Sequence, residues 1–331
     1  MKENLKLSLG PFQGITDQVF RTTYTTYFQG IDKFYTPFFT SIQKDKAKNL
    51  QTDEIAPSLN NVETLTPQIL SNDAAEIIRF SEQCANLGYN EININIGCPF
   101  QRVARKKRGS GLLPYPEILD AIFAQVFQNI STKLSVKCRF GYNDSSEIFP
   151  LIDVFNSYPI SELIVHARIG KQLYKGTVDT ALFEKIIPLV KAPLIYNGDI
   201  FTVSDFKMFE QEFESVNSFM LGRGLLSNPF LASEIKEIEQ PESFEKQKIV
   251  HAFVVELFEA RLKQGRYPQR AIGRMKELWS YLIWSFDEPQ HVWRKIKKIN
   301  DPKLYTEAVE YIFSNYKWLG NGYKSSEMEE E

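Results

Sequence analysis

One of the three cysteines in this chain has the setting of a reactive group. Cys98 follows an alternating apolar run and precedes a proline, in Asn95-Ile96-Gly97-Cys98-Pro99. That places a thiol on a loop at a strand end, where it can act as a nucleophile or as a proton donor. A nucleophile needs an activating base, and no histidine stands near it in the sequence, so the acid role fits better. Cys84 lies on a helical pattern whose apolar face includes Ile77, Phe80 and Leu87, which reads as core. Cys138 alternates between two charged strand residues and is expected to point away from the Cys98 side. Three cysteines and three histidines, with no CxxC pair, give neither a disulfide framework nor a zinc site.

Polar residues recur at the ends of other short β-branched runs. Lys137 stands with Arg139, His166 with Arg168, Asn197 with Asp199, and Gly222 with Arg223. A core has no use for so many donors and charges, because each uncompensated one costs several kcal/mol. The pattern reads instead as one shared mouth formed by strand ends. Asn197-Gly198-Asp199-Ile200 and Leu221-Gly222-Arg223-Gly224 are short glycine-bearing turns after late strands. Their exposed N–H groups, with Arg223 adding charge, predict a phosphorylated ligand such as a mononucleotide cofactor.

The elements that would position these groups alternate strictly. Strands are expected at 6–9, 91–96, 134–139, 163–166, 193–196 and 218–221, with helices at 72–86, 115–128, 180–190 and 202–213. Asn72 and Thr202 are the expected N-caps. From Cys98 to Lys137 is 39 positions, then 29 to His166, 31 to Asn197 and 25 to Gly222, each long enough for a right-handed βα crossover. This rhythm predicts an α/β fold, a (β/α)8 barrel over residues 1–238. A doubly wound sheet would carry a G-x-G-x-x-G turn after its first strand, and Gly10-Pro11-Phe12-Gln13-Gly14 lacks that spacing.

Beyond the barrel the strand patterns stop. Segments 244–262, 269–286, 290–298 and 302–316 read as amphipathic helices, so a smaller all-α domain is expected over 243–324, followed by a frayed acidic tail at 325–331. All four tryptophans lie in this region. With 39 Lys and Arg against 41 Asp and Glu, a net charge of −2 excludes a globally basic nucleic-acid binder, but charge is distributed unevenly. Residues 102–108 hold five basic residues in seven positions, directly after Cys98. The interval 261–298 holds ten Lys or Arg against three acids, with Tyr267, Trp279, Tyr281 and Trp293 interleaved. The two segments together predict a cradle for an RNA backbone. Hydrophobic residues at 43% and charged residues at 24% exclude wholesale disorder. No apolar run approaches the ~20 residues of a bilayer span and the start Met1-Lys2-Glu3-Asn4 has no leader-like apolar core, so a reduced, cytoplasmic protein is expected.

An ordered set of short motifs gives this chain a relative. The set comprises Gly10-Pro11-Phe12-Gln13-Gly14-Ile15-Thr16-Asp17 with Phe20-Arg21, Asn95-Ile96-Gly97-Cys98-Pro99 with Gly109-Ser110-Gly111-Leu112-Leu113, and Lys137-Cys138-Arg139-Phe140-Gly141. It continues with His166-Ala167-Arg168, Tyr174-Lys175-Gly176, Asn197-Gly198-Asp199-Ile200, Gly222-Arg223-Gly224 and Asn228-Pro229. In these the chain resembles the tRNA-dihydrouridine synthases, flavoproteins with a barrel followed by a helical domain. The resemblance implies FMN over the barrel mouth, with Pro11 and Phe12 lining the flavin, Gln68 touching it, and Lys137 and His166 bonding its ring or ribityl oxygens. Asn197, Asp199, Gly222 and Arg223 would hold its phosphate end. A cation near the ring would stabilise the reduced flavin, which gives Lys137 a physical use. Asn95 and Cys98 would face the base, and Arg102, Arg139, Arg168, Arg270, Arg274 and Lys298 would meet substrate or RNA. The implied reaction reduces the C5–C6 double bond of a uridine in tRNA, with hydride from FMN to C6, a proton from Cys98 to C5, and NADPH or NADH as reductant. The base would be extruded from folded RNA into the pocket. A monomer is expected.

The chain departs from that family pattern in three places. Gly10-Pro11-Phe12 stands where Ala-Pro-Met is common, Thr36-Pro37-Phe38 where Thr-Glu-Met is frequent, and Arg102 at a position often held by Lys. Two other readings compete. A flavin barrel enzyme for a free pyrimidine or small enone, of the dihydroorotate dehydrogenase kind, would share the Cys98 logic without needing basic helices. A catalytically silent RNA-binding or folding-helper protein on a barrel scaffold would lack the yellow flavin.

Overall fold

The computed structural model of the protein describes residues 4–40, 53–265 and 267–322. The expected acidic tail, and Arg266 of the basic interval, lie outside the described residues.

The strands are β1 (Lys6–Leu9), β2 (Lys33–Tyr35), β3 (Leu65–Thr66), β4 (Gln68–Ile69), β5 (Glu91–Ile96), β6 (Lys133–Gly141), β7 (Leu163–Ile169), β8 (Leu194–Asn197) and β9 (Ser218–Leu221). All pair in parallel, in the order β3-β2-β1-β9-β8-β7-β6-β5-β4. β3 and β4 are one stave interrupted at Pro67, which has no N–H to give a ladder. Thr36 N–H donates to Thr66 O at 3.2 Å on one side of that stave, and Asn93 N–H donates to Pro67 O at 2.8 Å on the other. Eight parallel staves therefore close a barrel, as expected.

The crossovers include α1 (Gln18–Tyr27), α2 (Ala74–Asn86), α3 (Gln101–Ala104), α4 (Pro116–Asn129), α5 (Ile148–Asn156), α6 (Thr180–Ile186) and α7 (Val203–Glu212), with α8 (Arg223–Ser227) and α9 (Leu231–Ile235) after the last strand. Thr202 caps α7 in a reciprocal box with Asp205. The expected cap at Asn72 falls instead to Asp73, whose carboxylate accepts from the N–H groups of Ala75 and Glu76. Asn72 is engaged elsewhere, accepting from Arg108 Nε at 3.0 Å. The expected helix 180–190 stops at Ile186 and tightens into a 3₁₀ turn, because Pro188 cannot supply the next helical N–H. β2 and the β3–β4 stave escaped the sequence reading because pieces of two or three residues carry no measurable alternation.

Four helices follow: α10 (Ser243–Gln264), α11 (Pro268–Leu282), α12 (Pro289–Ile296) and α13 (Pro302–Asn315). Trp279 is fully buried among them, with its indole N–H on Tyr305 Oη at 2.8 Å. This region seats on α1 through aromatic packing. Phe253 meets Phe20, Tyr27 and Phe28 at ring distances of 5.9, 6.1 and 5.1 Å. Among the described residues, no helix is long and apolar enough to cross a membrane.

Candidate active site

The C-terminal ends of the staves converge on two adjoining cavities. One, of about 500 Å³, is lined by Gly10, Pro11, Phe12, Lys137, His166, Tyr174, residues 197–201, Met220 and residues 222–224. The other is a cleft of about 970 Å³, lined by Asn95, Cys98, Phe100, Arg139, Phe38 and, from α11, Glu277, Ser280 and Tyr281. Pro11, Phe12, Lys137, His166 and Tyr174 line both. The five strand-end groups picked from the sequence are thus neighbours, as a barrel mouth requires.

The floor of the cleft is built by amides. Asn95 Oδ1 accepts the backbone N–H groups of Gly97 and Cys98, both at 3.0 Å, folding the chain after β5 into a tight turn. Asn95 Nδ2 donates to Gln68 Oε1 at 2.8 Å, and Gln68 Nε2 donates to Asn93 Oδ1 at 2.8 Å. Gln68 is fully buried, supports Asn95 and lines neither cavity. The second amide hydrogen of Asn95 remains for a base.

The Cys98 loop is backed by the glycine-serine segment that follows it. Ser110 donates through both its N–H and its hydroxyl to Cys98 O at 3.0 Å. Gly109, at φ +55°, lies so close that a Cβ there would stand 2.6 Å from Cys98 O. Burial raises the Cys98 thiol above its ordinary pKa, partly opposed by a backbone hydrogen bond at Phe100 and by Arg139, Arg102 and Lys137. The group is a thiol at neutral pH, with cations waiting to stabilise the thiolate once the proton leaves. Cys84 and Cys138 are fully buried and line neither cavity.

Lys137 bridges the two cavities and donates to Asn197 Oδ1 at 3.1 Å. Desolvation in the mouth, with Arg139 beside it, lowers its pKa to about 8. His166 is held well below its usual value, by burial first and then by Arg139, Lys137, Arg168 and Arg223. Its Nε2 faces Arg168 at 3.3 Å. A guanidinium only donates, so Nε2 is the acceptor and the imidazole proton belongs on Nδ1.

Asp199 sits in the left-handed region at φ +44° and is clamped by two arginines, Arg168 at 2.5 Å and Arg223 at 2.7 Å. Its carboxylate accepts three guanidinium N–H groups and holds Arg223 beside the glycine turn. The Arg168 guanidinium is wholly buried against Asp199, Gly176 O and Lys175 O, and it lines neither cavity. Arg139 lines the cleft while donating to Ile169 O and Leu173 O, with its guanidinium 5.3 Å from the Tyr174 ring.

The first motif ties the mouth to the helical region. Thr16 Oγ1 accepts Phe12 N–H at 2.8 Å and fixes that ring, which meets Tyr281 of α11 edge-on at 5.9 Å. Asp17 caps α1 through Phe20 N–H and pairs with Arg261 at 3.2 Å and with Arg274. Arg261 is buried, also bonding Ile15 O at 2.8 Å. Arg261 and Arg274, both counted in the basic interval, are thus engaged in joining α10 and α11 to the barrel. Arg270 and Lys298 are exposed. In the other basic segment Arg102, Arg105 and Lys106 are exposed and meet no carboxylate among the described residues, whereas Arg108 faces Glu76 and Asn72.

Sequence reasoning missed Glu277 and Ser280, and read Tyr281 as part of an RNA cradle rather than of the cleft wall. Their i, i+3, i+4 spacing is a polar stripe on a helix, which ordinarily faces water. Only the packing of α11 over Gly14, at φ +89° and touching the Glu277 carboxylate, turns that stripe into cleft wall.

A family model described as dihydrouridine synthase matches residues 8–316 of the chain. A tRNA-dihydrouridine(16) synthase of Aquipseudomonas alcaligenes is 26% identical over 308 residues, covering 90% of this chain and 96% of that one. A tRNA-dihydrouridine synthase B of Pasteurella multocida is 27% identical over 321 residues, covering 93% of each chain. A further tRNA-dihydrouridine(16) synthase, from Neisseria meningitidis serogroup A, is 26% identical and covers 91% of this chain. Among solved structures, an old yellow enzyme homologue from Zymomonas mobilis superposes with a TM-score of 0.50 at 11% identity, covering 73% of this chain and 90% of that one. That last likeness is one of fold.

Proposed function

Since this chain belongs to the dihydrouridine synthase family, we propose that it reduces a uridine of tRNA to dihydrouridine with FMN held across the barrel mouth. The donor set fits that cofactor. Arg223 and the glycine turn at 222–224 line the smaller cavity and suit a phosphate. Lys137 and the neutral His166 lie where the two cavities join and suit the polar edge of the ring. Lys137, Arg139 and Arg223 face Asp199 and Glu277 as the carboxylates of the linings, and Asp199 is already clamped, so the mouth favours anions. Bound FMN supplies a hydride for C6 of the base, and NADPH or NADH is the expected reductant.

The chain's own groups carry the rest. Asn95 sets the loop that aims Cys98, and its free amide hydrogen is available to the base. Cys98 gives its proton to C5, so the double bond gains one hydride and one proton, and solvent restores the thiol. Lys137 and Arg139 stabilise the thiolate in between. The exposed cations Arg102, Arg270 and Lys298 attract the RNA backbone, which helps offset extrusion of the base. A free pyrimidine would have no use for that rim.

The observation that carries this reading is the shared wall. Lys137 lines both the cavity that Arg223 lines and the cleft that holds the protonated Cys98. The test is to map dihydrouridine in tRNA from cells lacking the protein. Several relatives are named for position 16, so loss of dihydrouridine at a single position is the expected result. An unchanged tRNA dihydrouridine map would overturn it.

A further inference from the structure

Large apolar side chains that stand open to solvent are unremarkable when scattered singly. Two of those in this chain line the reaction cleft, Tyr174 at 40% exposure and Phe100 at 52%. Tyr174 already has partners, since the guanidinium carbons of Arg139 and Arg223 lie 5.3 and 5.0 Å from its ring and His166 lies 6.0 Å away. The Phe100 ring meets neither another ring nor a cation among the described residues. It is nonetheless rigidly placed. Pro99 precedes it, the Asn95 turn fixes Cys98 two residues before it, and its own carbonyl accepts from Val103 and Ala104 at 2.8 and 3.0 Å to start α3. The helix it opens and the turn that follows present Arg102, Arg105 and Lys106 to solvent. A bare aromatic face interleaved with unpaired cations is the composition that binds single-stranded nucleic acid, the cations tracking phosphates and the ring taking a base.

We propose that Phe100 is the stacking platform for the base that flanks the target uridine in the opened strand, an inference that rests on the tRNA reading above. The ring lies two residues from Cys98, so a nucleotide stacked on it is a neighbour of the one being reduced. Stacking there holds the strand open and fixes the register of the target base over the thiol. Any base presents a π-face, so the contact adds affinity without selecting sequence.

The test crosses a protein change with an RNA change. Turnover is measured as kcat/KM for wild type, Phe100→Ala and Phe100→Trp on tRNA transcripts that are intact or abasic at the 5′ or 3′ neighbour of the target. Phe100→Ala is expected to lose about tenfold on intact RNA, and Phe100→Trp to retain wild-type turnover. On one of the two abasic RNAs, wild type should fall by the same factor and Phe100→Ala should match it. The salt dependence of binding should keep its slope, because no charge is removed. No loss in Phe100→Ala, an equal loss on all three RNAs, or a flattened salt slope would overturn the platform while leaving the tRNA reading intact. A wild type that reduces no uridine in any RNA overturns that reading, and the platform with it.

Discussion

Asn95 Oδ1 accepts the backbone N–H of Cys98 at 3.0 Å, so the penultimate residue of β5 also sets the direction of the thiol. The same oxygen takes Gly97 N–H, and its partner nitrogen is anchored to Gln68. Asn95→Ala leaves two buried N–H groups without an acceptor, a cost of about 1–3 kcal/mol each at most. Thermal melts should show a lowered Tm, and single-turnover uridine reduction should slow by about tenfold or more. An Asn95→Ala protein that turns over normally would mean that the loop is held by Ser110 alone.

The second prediction concerns pH. Burial raises the Cys98 pKa, so the acid form persists beyond the ordinary thiol value of 9.0 and is lost only above it. Uridine reduction should therefore hold through neutral pH and fall on a limb above 9.0. The pH profile of kcat/KM for tRNA checks this. A limb below neutral pH would assign Cys98 as a thiolate and remove it from the acid role.

Lys137 gives the third, in stability. Its folded pKa of about 8 lies below the unfolded 10.5, so the unfolded chain binds more protons between those values and stability rises with pH across that window. Below about 8 both states are charged, and the buried ammonium costs the fold on the order of 3 kcal/mol. Lys137→Met should therefore raise the Tm of the flavin-free protein at pH 7 and remove the rise between 8 and 10.5. The same substitution should weaken uridine reduction. Calorimetry of the two proteins across pH decides it, and a lower Tm for Lys137→Met at pH 7 would contradict the assigned cost.

The fourth separates clamp from cradle. Asp17→Ala strands Arg261 without its carboxylate, and losing one partner of a buried pair costs about 3–5 kcal/mol. Denaturant melts should show that loss. Charge reversal at Arg270 and Lys298, both exposed, should instead leave the Tm near wild type, weaken tRNA binding and flatten its salt slope. Salt-titrated binding that does not change would place the RNA elsewhere.

These residues show what was legible in the sequence. Strand ends could be read because a polar group at the close of an apolar run has few structural uses, and that rule placed Cys98, Lys137, His166, Asn197 and Arg223 around one mouth. It could not tell a charge facing the ligand from one spent behind it. Arg168 and Arg223 follow strands in the same way, yet one is sealed on Asp199 and the other lines the cavity. The support that Gln68 gives Asn95 was not legible either, since amide relays between staves leave no local pattern. Arg261 and Arg274 counted as surface charge because their partner Asp17 lies 244 and 257 residues earlier in the chain. The wall made by Glu277 and Tyr281 depends on how α11 docks, which periodicity does not encode.

The most direct test of the central claim is anaerobic stopped-flow of the reduced flavoprotein mixed with tRNA lacking dihydrouridine. Wild type should reoxidise rapidly with tRNA and slowly with free uridine. Cys98→Ala, still yellow and still binding tRNA, should lose about 10²-fold or more in the tRNA-driven rate. Equal reoxidation rates for the two proteins, or reoxidation driven as well by free uridine, would contradict the account.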